Sequence, residues 1–224
     1  MLNDFQKKVA RIVLAAAEPF GFALGGGAAL IVYGIVDRPT KDIDSYTNNI
    51  NDNGEIFDAA VKEVVKELEN NGLEVKIAKS DTWFAALEVT DNIEVDTIVV
   101  DLGYDYRTNQ PIFIAELGKV LHIDDIVTGK IRALWTRAEG RDYMDINALL
   151  STERYSVQNL FDLIHPIFPE ITKKGFSDHL RAANLRREDY LSYGLNENNI
   201  TALSKRFEKY ADELYDKDTD DIYL

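Results

Sequence analysis

Apolar residues at the start of the chain recur at helical spacing: Phe5, Val9, Ile12, Val13 and Ala16 share one face, and Pro19 and Gly21 end the element. A short apolar strand at 22–24 then runs into Gly25, Gly26 and Gly27, and a helix over 28–33 is closed by Gly34. After the turn Arg38-Pro39-Thr40, residues 42–47 read as a strand, followed by a polar loop at 48–53. The clearest amphipathic period lies at 56–68, where Ile56, Phe57, Ala60, Val61, Val64, Val65 and Leu68 repeat at helical intervals before Asn71-Gly72. Strands are predicted at 73–78, 82–89 and 95–102, the last two forming a hairpin through Thr90-Asp91-Asn92, with shorter ones at 112–115 and 120–122.

The pattern changes at residue 124. Asp124 or Asp125 is expected to cap a helix reaching about 138. Further helices are predicted at 141–150, 156–165, 176–183, 186–193 and 197–214, with no strand among them, and the acidic tail at 216–224 should fray. The fold class is therefore α+β: a mixed-sheet domain with flanking helices over 1–123, then an all-helical region over 124–224.

Composition narrows the function. Hydrophobic residues make up 46% of the 224, enough for a real core. With 39 acidic and 25 basic residues the formal charge is −14, which disfavours non-specific nucleic-acid binding. No cysteine is present, so disulfides and thiolate metal sites are excluded. The first apolar patch is too short and too interrupted for a membrane span and lacks the layout of a secretory signal, so a cytoplasmic protein that does not enter the membrane is expected.

Candidate chemistry concentrates in LGGGAALIVYGIVDRPTKDIDSY, residues 24–46. A glycine run between a strand and a helix presents backbone N–H groups suited to phosphate, although no Gly-Lys-Ser/Thr follows to make a Walker loop. On a strand, Asp42 and Asp44 point to the same face, forming an oxygen-only pair of the type Mg²⁺ accepts. Asp96, Asp101 and Asp105 are candidates for a third carboxylate, and Asp101 is preferred because it closes an apolar alternation. In KIRALWTRAEGRDYMDI, residues 130–146, Lys130, Arg137 and Arg141 fall near one helical face as a cationic stripe able to hold a triphosphate, and Asp142 and Asp145 lie one turn apart. Trp83, Phe84 and Trp135 read as core, whereas Tyr104 and Tyr106 are candidates for stacking on a base.

These two segments together resemble the AbiEii/MenT-type nucleotidyltransferase toxins of the polymerase-β-like minimal nucleotidyltransferase superfamily, over roughly residues 20–150. The resemblance implies a Gly-Gly-hydroxyl turn followed by Asp-x-Asp, matched by Gly26, Gly27, Asp42 and Asp44, with Mg²⁺ held by the two aspartates. Ala28 stands where a serine or threonine is usual, so the amides of Gly26, Gly27 and Ala28 would bind phosphate without a hydroxyl. It further implies that Lys130 binds nucleotide phosphates and that Arg141, Asp142 and Asp145 match the Arg-Asp-x-x-Asp run, with Asp145 an essential acid. The implied activity is transfer of NMP from an NTP to an RNA acceptor, typically a tRNA 3′ end, by a toxin with a cognate antitoxin. Lys173, Lys174, Arg181, Arg186 and Arg187, with His165 and His179, could track RNA phosphates or simply form a solvated, ion-paired face. Two other readings stay open: an antibiotic-type nucleotidyltransferase acting on a small hydroxylated molecule, or an inactive fold retained as a binding module.

Overall fold

The computed structural model describes residues 1–49, 54–93 and 96–215. Part of the polar loop expected at 48–53, the start of the strand expected at 95–102 and the acidic tail at 216–224 lie outside the described residues. The chain divides into two compact units, Met1–Ile126 and Val127–Leu224.

The first unit is built around a seven-stranded mixed sheet in the order β3-β4-β5-β2-β1-β7-β6. Its strands are β1 (Ala23–Leu24), β2 (Asp42–Thr47), β3 (Glu74–Asp81), β4 (Phe84–Asp91), β5 (Asp96–Tyr104), β6 (Ile112–Ile114) and β7 (Gly118–Val120). The helices α1 (Asp4–Ala17) and α3 (Glu55–Asn70) pack on one another, and α2 (Gly26–Val32) packs along β2. In the central strands the period of two is visible as burial. Ile43, Ser45 and Thr47 of β2, Ile98, Val100 and Leu102 of β5, and Ala85, Leu87 and Val89 of β4 are all buried. Their neighbours in sequence face the other way, so Asp42 and Asp44 share the opposite face of the sheet. Each fully buried aliphatic side chain contributes roughly 1.5–3 kcal/mol. Such a set fixes the strand register, because a one-residue slip would bury the aspartates instead.

Several boundaries differ from the sequence reading. The strand expected at 120–122 lies at Gly118–Val120, where Val120 pairs with Leu24, and His122 sits beyond it. Thr90 and Asp91, expected in a turn, continue β4 and pair with Thr97 and Asp96. The ladder outlasts the apolar run because polar residues can still pair through their backbone.

The second unit is helical: most of α4 (Ile123–Thr136), then α5 (Gly140–Ser151), α6 (Val157–Ile164), α7 (Lys173–Arg181), α8 (Arg187–Ser192) and α9 (Glu197–Leu214). Ser156, Thr172 and Asn196 each accept a backbone N–H as the cap of the helix that follows. The apolar stripe of α9 (Ile200, Leu203, Phe207, Ala211) is buried, and Tyr143 meets Phe207 edge-on with ring centroids 5.2 Å apart. Neither Asp124 nor Asp125 stands outside α4 as its cap; both lie in its first turn. The Asp125 carboxylate instead accepts the N–H groups of Thr108 and Asn109 at 2.8 and 3.1 Å, tying down the loop after β5.

Candidate active site

β2 pairs in parallel with β5, and the register sets Asp44 directly opposite Asp101. Asp42, Asp44 and Asp101, all partly exposed, each offer a carboxylate oxygen within 4.8 Å of the others. Among the described residues this is the one cluster of its kind. At an effective dielectric near 20, like charges at such a distance repel by about 3 kcal/mol per pair. A divalent cation removes that repulsion, and the all-oxygen donor set fits a hard ion such as Mg²⁺. Asp42 and Asp44 would hold it, with Asp101 beside them. Asp96 lies at the far end of β5, paired with Asp91, and is not part of the group.

The glycine turn stands against the same carboxylates. The N–H of Gly25 donates to the carbonyl of Asp44 at 2.9 Å. Gly26 opens α2 with φ +60°, and a Cβ there would come 1.8 Å from Asp44 Oδ2. Only glycine combines that backbone with that approach. A Cβ on Gly27 would lie 3.2 Å from Arg38 Nη2 and 3.3 Å from Thr40 Oγ1, so a guanidinium and a hydroxyl sit over the turn. Ala28 is fully buried, and its methyl belongs to the core.

Two hydroxyls that the sequence reading did not single out complete the group. Thr40 Oγ1 donates to Asp42 Oδ1 at 2.7 Å, and the Tyr46 hydroxyl donates to Asp44 Oδ1 at 3.1 Å. Burial first, and then the charge of Asp44, push the Tyr46 phenol well above its usual pKa, so it is a neutral donor. The signal was present: Tyr46 follows Asp44 by two residues, the spacing that had already placed Asp42 and Asp44 together.

In the helical unit, Lys130 Nζ lies 2.9 Å from Asp145 Oδ2, and both residues are buried. Arg137 donates through Nε and Nη2 to the two oxygens of Asp142, at 3.0 and 2.8 Å. Arg141 Nε donates to Glu139 at 2.8 Å. The expected cationic stripe is thus divided. α4 ends at Thr136, Ala138 takes φ +50°, and Arg141 belongs to α5. Each cation meets at least one carboxylate, and Arg137 also reaches Glu139 at 3.8 Å.

The remaining sequence candidates fall as follows. Arg181 pairs with Asp212, and Arg187 with Glu188 and Glu197, as an ion-laced face would. Trp135 is half-buried and stacked on His179, with centroids 4.3 Å apart, and Trp83 is half-buried between Phe57 and Tyr104. Tyr106 is exposed.

Residues 11–222 match the family described as the nucleotidyl transferase AbiEii toxin of type IV toxin–antitoxin systems. The chain belongs to this family. Its fold resembles that of several solved structures. JHP933 from Helicobacter pylori aligns with a TM-score of 0.62 at 18% identity, over 100% of this chain and 97% of that one. MenT4, a nucleotidyltransferase toxin of Mycobacterium tuberculosis H37Rv, aligns with a TM-score of 0.60 at 16% identity, over 96% and 84%. No curated protein matches the chain by sequence. No helix among the described residues is long and apolar enough to cross a membrane.

Proposed function

We propose that this AbiEii-family protein is a cytoplasmic toxin that transfers NMP from an NTP, with Mg²⁺, onto an RNA acceptor, the 3′ end of a tRNA, and is neutralised by a cognate protein antitoxin. The observation that carries the reading is the triad of Asp42, Asp44 and Asp101 on adjacent strands, with Gly26 seated against Asp44. Membership of a nucleotidyltransferase toxin family supports assigning nucleotidyl transfer to that triad. A divalent ion bound there supplies charge neutralisation at the transferring phosphoryl group.

The chain's own residues then have defined tasks. Asp42 and Asp44 bind the metal. The amides of Gly26, Gly27 and Ala28 receive triphosphate oxygens, with backbone donors taking the place of the hydroxyl that Ala28 lacks. Lys130 binds phosphate as a point charge, oriented by Asp145, while Arg137 and Arg141 contribute further positive charge. The acceptor hydroxyl attacks the α-phosphorus, its proton passes to Asp101, and pyrophosphate leaves.

Incubating the protein with Mg²⁺, each α-³²P-labelled NTP and total bacterial RNA tests the reading. A labelled band of tRNA size, absent with Asp42→Ala, is the expected result and names the nucleotide. Label that appears on a small hydroxylated molecule and never on RNA would overturn the acceptor.

A further inference from the structure

The ring of Tyr46 lies in a slot with a glycine on either side. A Cβ on Gly25, at the end of β1, would come 2.6 Å from the ring, and one on Gly103, in β5, would come 3.2 Å from it. Neither side chain can be added without moving the ring. The slot aims the hydroxyl at Asp44 Oδ1, at 3.1 Å. The other carboxylate oxygen, Oδ2, is the atom that abuts Gly26. Asp44 is therefore bounded on one oxygen by a phenol and on the other by the glycine turn, and Thr40 donates to Asp42 in the same way.

We propose that Tyr46 is a positioning residue for the metal site, its hydroxyl fixing the rotamer in which Asp44 meets the cation. The proposal rests on the metal-binding role given to Asp44 above. A phenol has one proton to donate, so the bond to Asp44 is its whole donor capacity. Carboxylates on a strand face otherwise sample several rotamers, and each lost rotamer is a conformational cost the metal would have to offset. Hydrogen bonds that orient a ligating group characteristically govern metal affinity by about 10–100-fold.

The test is Mn²⁺ binding to the nucleotide-free protein, followed by electron paramagnetic resonance, for wild type, Tyr46→Phe and Asp44→Asn. Tyr46→Phe keeps the ring in its slot, so the melting temperature in EDTA should equal that of wild type. Its Mn²⁺ dissociation constant should rise by about tenfold. In transfer assays the Mg²⁺ concentration for half-maximal rate should rise more than the rate at saturating Mg²⁺ falls. Gly103→Ala, which crowds the ring from β5, should shift affinity in the same direction. Mn²⁺ affinity equal to wild type in Tyr46→Phe, while Asp44→Asn has lost it, overturns the role of Tyr46 alone. Wild type and Asp44→Asn binding Mn²⁺ equally would overturn the metal reading of Asp44 and the present inference with it.

Discussion

At Gly26 a single methyl group would have two separable effects. Its φ of +60° lies in the left-handed region, where a side chain costs about 1–2 kcal/mol. The Cβ would also overlap Asp44 Oδ2, so relief requires moving that carboxylate away from Asp42 and Asp101. Gly26→Ala should therefore lower the melting temperature and weaken Mn²⁺ binding together, whereas replacing the exposed Gly34, whose Cβ would meet nothing within 4 Å, should leave metal binding intact. Calorimetry and Mn²⁺ titration on the two variants check this. Asp101→Asn isolates the third carboxylate at the same scale. It removes one negative charge with almost no change in shape, and labelled transfer should fall by more than about a hundredfold with the melting temperature preserved or raised, because like-charge repulsion is relieved.

At the scale of elements, the helical unit buries a few of its charges. Asp145 is fully buried and Lys130 nearly so, and breaking such a pair on one side costs about 3–5 kcal/mol because the other charge is left uncompensated. Asp145→Ala should therefore shift the urea midpoint strongly, and Lys130→Met combined with Asp145→Leu should recover most of that loss while transfer stays absent. A second signature is alkaline. Burial raises the Tyr143 phenol to about 12, and Tyr190 is raised by burial as well. A group whose folded pKa lies above the unfolded value near 10 stabilises the fold fully below pH 10 and loses that contribution as pH rises towards 12. The urea midpoint should fall between pH 10 and 12, and Tyr143→Phe should reduce the slope.

These elements also show what the pattern of residues could and could not disclose. The alternation in β2 and β5 was readable, and with it the shared face of Asp42 and Asp44 and the preference for Asp101, since a half-buried strand fixes side-chain direction by parity alone. That Asp101 lies opposite Asp44 depends on a parallel pairing across the α3–β3–β4 crossover, and no local signal specifies that register. Lys130 with Asp145, and Arg137 with Asp142, were legible as charges but not as pairs. A stripe counted at helical spacing assumes one continuous helix, whereas the separate helices expected to about 138 and at 141–150 already put Arg141 beyond a break, which Ala138 makes with φ +50°. The Asp125 contacts to Thr108 and Asn109 were hidden for a similar reason, because an acid at a helix start reads first as a cap.

For the whole molecule, a formal charge of −14 sets the background against which an ion at the triad would bind. Net charge of that size destabilises a compact chain through self-repulsion, and added salt of any kind relieves part of it. A specific site behaves differently: an ion that binds the folded state and not the unfolded one stabilises by RT ln(1 + [L]/Kd), about 2.7 kcal/mol at a hundred times Kd. Mg²⁺ should therefore raise the melting temperature above the value reached in NaCl of equal ionic strength. Only the excess over NaCl reports the triad, and that excess should vanish in Asp44→Asn while the response to NaCl remains. Equal responses to the two salts would mean that the three carboxylates are solvated individually and that the −14 background, rather than a bound ion, accounts for the effect of Mg²⁺. The same background bears on the acceptor. An acidic chain can hold RNA only where positive charge is locally concentrated, so its affinity for tRNA should be weak and steeply reduced by salt in the absence of Mg²⁺.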